Sequence, residues 1–258
     1  MTNKVAVLGL GEAGSAIAAD LVEVGLTVAA WDPKPKCVPP GVNLTASDHA
    51  AIAGADLVLS VNLASVAADV ARSAVSGLTG RQVFADLNTA SPGLKRHIAE
   101  ILRPSGALFV DVALLAPVLA QGIRTPALVS GPGAQRFHDL LAPYGMPVTI
   151  LDDQAGSAAA RKLVRSVFMK GVAAVVIECL EAADRLDCEA WTRDQLLTVI
   201  QDEAWIDRFV EGSRTHAARR LHEMTAAAEL LAELEVDSGM TEATVQKLVS
   251  MSANQPVS

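Results

Sequence analysis

The sequence predicts an α/β chain in two parts. A doubly wound parallel sheet is expected over residues 1–153, and a smaller all-α C-terminal domain over residues 154–258. Three observations carry this. Short apolar runs alternate regularly with helical segments as far as Leu151, the pattern of a parallel sheet with crossover helices. From Gln154 onward strand signals vanish, and Ala, Leu, Glu and Arg dominate to about Met251. The 258 residues are enough for one large domain or two modest ones, with a sizeable core either way.

The first crossover is the most informative. Val5, Ala6, Val7 and Leu8 form an apolar run of strand length. Gly9, Gly11 and Gly14 follow at the spacing G-x-G-x-x-G, then an Ala-rich helical segment, then a second apolar run, Leu26 to Trp31, ending in Asp32. The glycines divide the mechanics between them. Gly9 permits the tight turn, Gly11 the close approach of backbone to a pyrophosphate, and Gly14 the packing of helix on strand. The helix start presents free N–H groups and partial positive charge to phosphates. Asp32, about twenty residues beyond the glycines, is placed to accept hydrogen bonds from a ribose diol. Strand, glycines, helix, second strand and terminal acid in this order predict a Rossmann-type dinucleotide site. Its contacts are expected at Gly9, Leu10, Gly11, Glu12, Ala13, Gly14 and Asp32. The cofactor is then NAD or NADP. Asp32 favours NAD, because a carboxylate repels a 2′-phosphate; Lys34 and Lys36 just beyond read as a solvated loop between prolines.

The remaining elements follow in order. Residues Ser47 to Ala53 read as a short helix capped by Ser47 or Asp48. Asp56 to Val61 is a buried strand ending at Asn62. Ligands in such sheets sit at the carboxyl ends of the strands, which puts Asn62 and Leu63 near the cofactor. A helix from about Ser65 to Val75 and a strand from Gln82 to Leu87 come next. The polar run Asp86-Leu87-Asn88-Thr89-Ala90-Ser91-Pro92 then starts a helix at Pro92; Ser91 suits an N-cap, and Asn88 and Thr89 are candidates for the nicotinamide side of the cleft. Strands at Ala107–Val112, Ala127–Ser130 and Pro147–Leu151 and a helix at Ala134–Leu141 complete the sheet domain. Beyond it, helices are expected over Ala155–Asp184, Thr192–Ile200, Ile206–Glu235 with a possible break, and Glu242–Met251, with a disordered tail SANQPVS.

On the helix starting near Gly156, Lys162, Arg165, Ser166 and Met169 share one side, flanked by Arg161 and Lys170. Positive charge concentrated on an otherwise apolar helix of an acidic protein suits a negatively charged substrate held between the domains. The structural alternative is pairing with Asp152, Asp153 or Glu178. Lys162 stands out chemically. Oxidising an alcohol by hydride transfer needs a base for the hydroxyl proton, and a lysine in a partly desolvated cleft beside other cations has the lowered pKa this requires. The only tyrosine, Tyr144, has Val148 four residues on, so a Tyr-x-x-x-Lys arrangement is absent. His216 and His222 could enter the cleft, but such residues more often lie on a helix surface or in a core.

Bulk properties narrow the partners. A net charge of −8 argues against nucleic acid and anionic membrane surfaces. Cys37, Cys179 and Cys188 are scattered without C-x-x-C spacing and read as free thiols of a reducing compartment, with no metal site expected. Glu12, Asp20 and Glu23 interrupt the apolar N-terminus, so it is not a signal peptide; Asp111, Pro117 and Gly122 break the run Ala107–Ile123, so it is not a membrane span. A cytoplasmic location is expected.

These residues resemble the β-hydroxyacid dehydrogenase family, which includes 3-hydroxyisobutyrate and 6-phosphogluconate dehydrogenases. Gly9-Leu10-Gly11-Glu12-Ala13-Gly14 matches its N-terminal motif, with Glu12 where methionine is common. Asp86 to Pro92 looks like its D-x-S-T-x-S-P segment, whose threonine lies by the nicotinamide and falls on Thr89. Gly156 to Lys162 looks like G-x-G-x-x-x-K, with Lys162 on the catalytic lysine. Two departures stand out. Asp111 to Pro117 replaces D-x-P-V-S-G-G, putting Leu115 and Ala116 in the substrate loop without its Ser-Gly-Gly. Arg165 and Ser166 replace an Asn pair. The C-terminal part, with Glu223-Met224, is similar to a poorly characterised subgroup labelled phosphogluconate-dehydrogenase-like, with a short helical domain.

The resemblance implies an NAD(P)-dependent dehydrogenase acting on the CH–OH of a small anionic hydroxy acid or keto acid. Lys162 is then the general acid/base, and Arg165 supplies the lost carboxylate contacts as a bidentate clamp. The short, apolar helical domain is expected to be buried in a homodimer, and the resemblance implies that a partner chain's residues, such as His216, Arg219 or His222, could complete the site. Reduction of a C=N bond, as in imine reductases, is disfavoured by Lys162 itself. A dinucleotide-binding sensor without turnover stays open because of the two departures.

Overall fold

A computed structural model of the chain describes residues 4–253. Two compact units divide at the 162/163 junction.

The first unit is built on an eight-stranded sheet: β1 Lys4–Leu8, β2 Thr27–Trp31, β3 Asn43–Leu44, β4 Leu57–Ser60, β5 Val83–Asp86, β6 Leu108–Leu114, β7 Ala127–Ser130 and β8 Val148–Ile150. Their spatial order is β3-β2-β1-β4-β5-β6-β7-β8. The helices between them are α1 Glu12–Glu23, α2 Asp48–Ile52, α3 Ala64–Ala74, α4 Pro92–Leu102, the single turn α5 Val118–Gln121, and α6 Ala134–Leu141. The order reverses at β1/β4, the switch point where open α/β sheets bind ligands.

The strand–helix alternation predicts a sheet parallel throughout, and the last two strands depart from this: β8 is parallel to β7, and both oppose the other six. β7 runs antiparallel to β6, with Asp111 opposite Ser130 and Leu114 opposite Ala127. The connection explains it. Residues 115–126 hold Pro117, Gly122, the four-residue α5 and one 3-10 turn at Gly122–Arg124, so the chain turns back at the same edge without a full helical crossover. The two-residue strand β3 and the turn α5 carry no signal in the sequence, because two to four residues are too few for periodicity to register.

Period-two alternation distributes the core. Val5 and Val7 point to one face with Ile17, Leu21, Phe137 and Leu141; Ala6 and Leu8 point to the other with Ile52, Ala71, Phe84, Ile98 and Leu102. Apolar runs buried on both faces are what parallel strands covered by helices require.

The long helix α7, Ser157–Arg185, begins in the first unit and continues into the second, which also holds α8 Glu189–Ile200, α9 Glu203–Thr215, α10 Ala217–Glu233 and α11 Gly239–Ala253. The expected break in the third C-terminal helix falls at His216, which ends α9 and begins α10 at φ −122°, ψ 28°. The core here is Ala173, Val176, Ile177 and Leu180 of α7 against Ile206, Phe209 and Val210 of α9. The opposite side of α7 leaves Val164, Phe168 and Val175 exposed. Helix α11 extends through Ala253; the rest of the expected tail, residues 254–258, lies outside the described residues. Among the described residues no helix is long and apolar enough to cross a membrane, and no group of three or more His, Cys, Asp or Glu could hold a metal ion. Cys37 and Cys179 are exposed, Cys188 half-buried, and all three are free thiols.

Candidate active site

The glycine loop divides its work as the spacing implies. Gly9 sits at φ +111°, and a Cβ there would meet the Val61 carbonyl oxygen at 2.1 Å. A Cβ on Gly14 would meet the Gly9 carbonyl oxygen at 2.0 Å, so helix and strand touch backbone to backbone. Gly11 differs: nothing lies within 4 Å of a Cβ placed on it. It is the N-cap of α1 and makes no side-chain cap, so the helix start is left for an outside acceptor. Gly9 and Gly14 serve the fold, whereas Gly11 opens onto free space.

Asp32 at the end of β2 closes this loop from the far side. Its Oδ2 accepts the Leu10 N–H at 2.7 Å and its Oδ1 accepts the Lys34 N–H at 2.7 Å. The carboxylate therefore fixes the loop, and its remaining lone pairs can still receive a ribose diol. Leu10 is buried, Ala13 half-buried, and Glu12, Lys34 and Lys36 exposed. Leu63, beyond β4, is 70% exposed, an apolar side chain left open at a strand's carboxyl end.

The next two strand ends are tied together. Asn88 Oδ1 accepts the Asn62 N–H at 2.7 Å, and its Nδ2 donates to Asn62 Oδ1 at 3.1 Å and to an oxygen of Asp86. Asn62 Nδ2 donates to Ser60 Oγ at 2.9 Å. Both asparagines thus serve the shape of the strand ends. Ser91 caps α4, its Oγ accepting from the Leu94 N–H at 3.4 Å.

Beneath lies a charge cluster that the sequence does not announce. Lys95 Nζ donates to Asp86 Oδ2 at 2.7 Å and to the Asp86 carbonyl at 2.8 Å, and stands 3.1 Å from Asp111 Oδ1. All three side chains are at most 1% exposed. Burial alone would lower the Lys95 pKa; the carboxylates of Asp86 and Asp111 outweigh it and hold the pKa above the usual lysine range. Asp111 Oδ2 accepts the Ala159 N–H at 2.8 Å, and Ser130 Oγ accepts the Ala158 N–H at 3.1 Å. Asp111 from within β6 and Ser130 from the end of β7 therefore cap the start of α7, a polar use of strand residues that periodicity cannot reveal.

That cap fixes the helix carrying Lys162. Gly156, just before α7, has φ +98°, and a Cβ there would stand 2.9 Å from the Pro92 carbonyl oxygen. The glycine lets α7 start against the end of the Asp86–Pro92 segment. Within that contact Lys162 Nζ donates to Thr89 Oγ1 at 2.7 Å. The two residues are 73 positions apart, and both side chains are half-buried. Leu115 and Ala116 are half-buried at the end of β6, where the Leu115 N–H donates to the Pro126 carbonyl at 2.8 Å.

The second unit holds the other predicted residues. Arg165 is exposed, with no hydrogen bond or ion pair to any described residue. Arg219 and His222 are exposed and His216 is half-buried. Of the acids weighed against the helix's cations, Asp152 approaches Arg161 only loosely, at 3.9 Å. Lys170 pairs with Glu223, which is not among those weighed, at 2.9 Å. That partner comes from α10, across a loop geometry the sequence does not specify.

Comparison with known proteins bears on the family and the fold. Residues 4–118 match the NAD binding domain of 6-phosphogluconate dehydrogenase, and residues 183–251 match a domain of unknown function, DUF1932. A conserved hypothetical protein from Sinorhizobium meliloti is 30% identical over 100% of this chain and 92% of its own, with a TM-score of 0.78. The conserved protein MTH1747, of unknown function and described as structurally similar to 3-hydroxyacid dehydrogenases, is 28% identical over 97% of each chain, with a TM-score of 0.74. A Mycobacterium tuberculosis 3-hydroxyisobutyrate dehydrogenase shares the fold at a TM-score of 0.80, covering 98% of this chain and 95% of its own at 18% identity. With its glycine loop, its Thr89–Lys162 pair and its helical C-terminal domain, the chain belongs to the β-hydroxyacid dehydrogenase family.

Proposed function

We propose that the chain is an NAD(P)-dependent dehydrogenase or reductase acting on the CH–OH group of a small anionic hydroxy acid, or on the corresponding keto acid. The observation that carries this is the 2.7 Å bond from Lys162 Nζ to Thr89 Oγ1. It joins a titratable amine to the strand end where a nicotinamide site is expected.

The bound dinucleotide supplies hydride transfer; the chain's residues do the rest. Gly11 and the first-turn amides of α1 take the pyrophosphate, Asp32 the ribose, and Asn62, Leu63 and Thr89 line the strand ends toward the nicotinamide. Lys162 removes the hydroxyl proton as the alcohol is oxidised and returns it in the reverse direction. Thr89 Oγ1 accepts an N–H of Lys162 and so aims the amine. Arg165, three residues further along α7, contacts the substrate's acidic group, and Leu115 and Ala116 border the substrate at the end of β6. Asp32 favours NAD over NADP by charge repulsion of a 2′-phosphate. The working form is a homodimer through the helical domain, a reading supported by the apolar Phe168 (67% exposed), Trp191 and Val199. A cytoplasmic location fits three free thiols.

The test is a panel of hydroxy acids with NAD⁺ and NADP⁺, followed by nicotinamide absorbance. Turnover of at least one acid is expected. Tight cofactor binding with no turnover of any hydroxy acid, keto acid or imine would replace this reading with a dinucleotide-binding sensor.

A further inference from the structure

Thr89 and Lys162 lie 73 positions apart in the chain, yet their side chains meet at 2.7 Å. A lysine reaches its partner through a long flexible stem, so the distance persists only where both backbones are held. Both are held within the sheet unit, and one buried residue, Lys95, stands behind each of them.

The Thr89 side is fixed at Asp86. Lys95 Nζ donates to the Asp86 carbonyl at 2.8 Å and to its Oδ2 at 2.7 Å, gripping main chain and side chain of one residue. The other carboxylate oxygen accepts from Asn88 Nδ2, and Asn88 Oδ1 takes the Asn62 N–H at 2.7 Å. The turn that presents Thr89 is therefore anchored just before the threonine. Just after it, Ser91 caps α4, the helix that carries Lys95 itself.

The Lys162 side is fixed at Asp111. Its Oδ2 accepts the Ala159 N–H at 2.8 Å in the first turn of α7, and Lys162 follows within the next turn. Its Oδ1 has no hydrogen bond among the described residues and is compensated by Lys95 Nζ, 3.1 Å away. Asp86 and Asp111 are partners in register on β5 and β6, so two acids stand side by side on one face of the sheet. Lys95 reconciles them. Without it the buried carboxylates repel, and Asp111 must take up a proton or turn away. Either change weakens its hold on Ala159.

A buried ion cluster is a poor device for stability, because apolar groups of the same volume hold a core about as well. It is a good device for direction, since each contact sets a nitrogen against an oxygen at one distance and angle. We propose that Lys95 is a positioning residue for proton transfer: through Asp86 and Asp111 it holds Thr89 and Lys162 at bonding distance. With its side chain 1% exposed, it touches neither substrate nor cofactor. The consequence for turnover rests on the dehydrogenase reading above; the hold on the Lys162 ammonium does not.

The experiment compares Lys95→Met, Asp111→Asn and Ile52→Ala with wild type, at a temperature where unfolding curves show each variant folded. Asparagine offers a single acceptor oxygen, so at position 111 it serves Ala159 or Lys95 but not both. Ile52, fully buried on α2, is the stability control: its truncation weakens the same unit without removing a polar contact of the cluster. Should Lys95→Met fail to fold, Asp111→Asn decides alone.

The first readout uses no substrate. It is the heteronuclear NMR signal of the Lys162 ammonium, identified by its disappearance in Lys162→Met, and its hydrogen exchange with water. Exchange is expected to quicken about tenfold or more in both cluster variants, the size of one charge-assisted hydrogen bond, and to keep the wild-type rate in Ile52→Ala. The second readout is turnover of the hydroxy acid that the panel identifies. In both cluster variants kcat and kcat/KM are expected to fall together by about tenfold to a hundredfold, the cost of a misplacement of about an ångström, while the cofactor dissociation constant stays within about threefold. Ile52→Ala keeps the wild-type kcat. Wild-type exchange in both cluster variants, or equally quickened exchange in Ile52→Ala, overturns the role of Lys95 whatever the panel gives. Quickened exchange beside wild-type kcat overturns its part in proton transfer. Quickened exchange in the cluster variants alone, with no turnover by wild type, retains the positioning and removes only the dehydrogenase reading.

Discussion

The carboxylate of Asp111 joins two parts of the first unit: Oδ2 accepts the Ala159 N–H at 2.8 Å, at the start of α7. Its other oxygen faces Lys95, which also grips Asp86 below the Asn88–Thr89 turn. One buried lysine thus braces both the strand end carrying Thr89 and the helix start carrying Lys162. Replacing it by methionine leaves two buried carboxylates unpaired, and such losses typically cost about 3–5 kcal/mol. Lys95→Met is expected to destabilise the sheet unit by that amount, read from denaturant unfolding. A loss under about 1 kcal/mol, the range of an exposed pair, would show that the cluster braces nothing.

The loop glycines Gly11 and Gly14 give predictions in opposite directions. A Cβ on Gly14 collides with backbone, so Gly14→Ala is expected to destabilise the sheet unit severely. A Cβ on Gly11 meets nothing, so Gly11→Ala leaves stability within about 0.5 kcal/mol, the usual range for a surface change. It fills the space for the pyrophosphate, and cofactor affinity falls by about tenfold or more. Thermal melts beside cofactor titrations decide this. Unchanged affinity in Gly11→Ala would mean that the pyrophosphate lies elsewhere.

Asp32 both closes the loop and sets the proposed cofactor preference. Asparagine retains an acceptor for the Leu10 N–H and removes the charge. Asp32→Asn is therefore expected to raise the NADP-to-NAD affinity ratio about tenfold with little loss of stability. An unchanged ratio would separate the carboxylate from cofactor choice.

Lys170 makes a prediction in pH. Its folded-state pKa lies below the ordinary lysine value of 10.5, through burial first and then Arg220 and Arg165. Between the two values the unfolded chain binds more protons, so the Lys170 contribution to stability rises with pH and levels off above 10.5. Lys95, shifted upward, gives no slope in that window: its contribution is complete below 10.5 and lost only as pH climbs through its higher folded value. The stability of wild type relative to Lys170→Met should climb as pH is raised toward 10.5. A flat or falling difference would contradict the crowding of charge at that lysine.

Much of the fold is legible in the sequence, because buried parallel strands are apolar runs and the glycine loop is a backbone device written in residue identity. Ser47 and Ser91 are readable as caps for the same reason, and each accepts the expected N–H. What escapes depends on contacts between distant segments. The antiparallel β7 follows from a connection without a full helical crossover, and its strand composition looks like any other. Nothing in the sequence marks Lys95; only the placement of Asp86 and Asp111 on adjacent strands makes it a core residue. Glu223 is invisible as the partner of Lys170 for the same reason. Lys162 and Thr89 are readable singly from their motifs, but their bond is a fact of the fold.

The most direct measurement is kcat for Lys162→Ala against wild type, on whichever hydroxy acid the panel identifies, with the cofactor dissociation constant determined in parallel. A fall of about 10²–10⁴ in kcat is predicted, the usual contribution of a positioned acid/base, with cofactor affinity unchanged within about threefold. A variant that turns over within about tenfold of wild type, at full cofactor affinity, would contradict the assignment of Lys162 as the proton-transferring group.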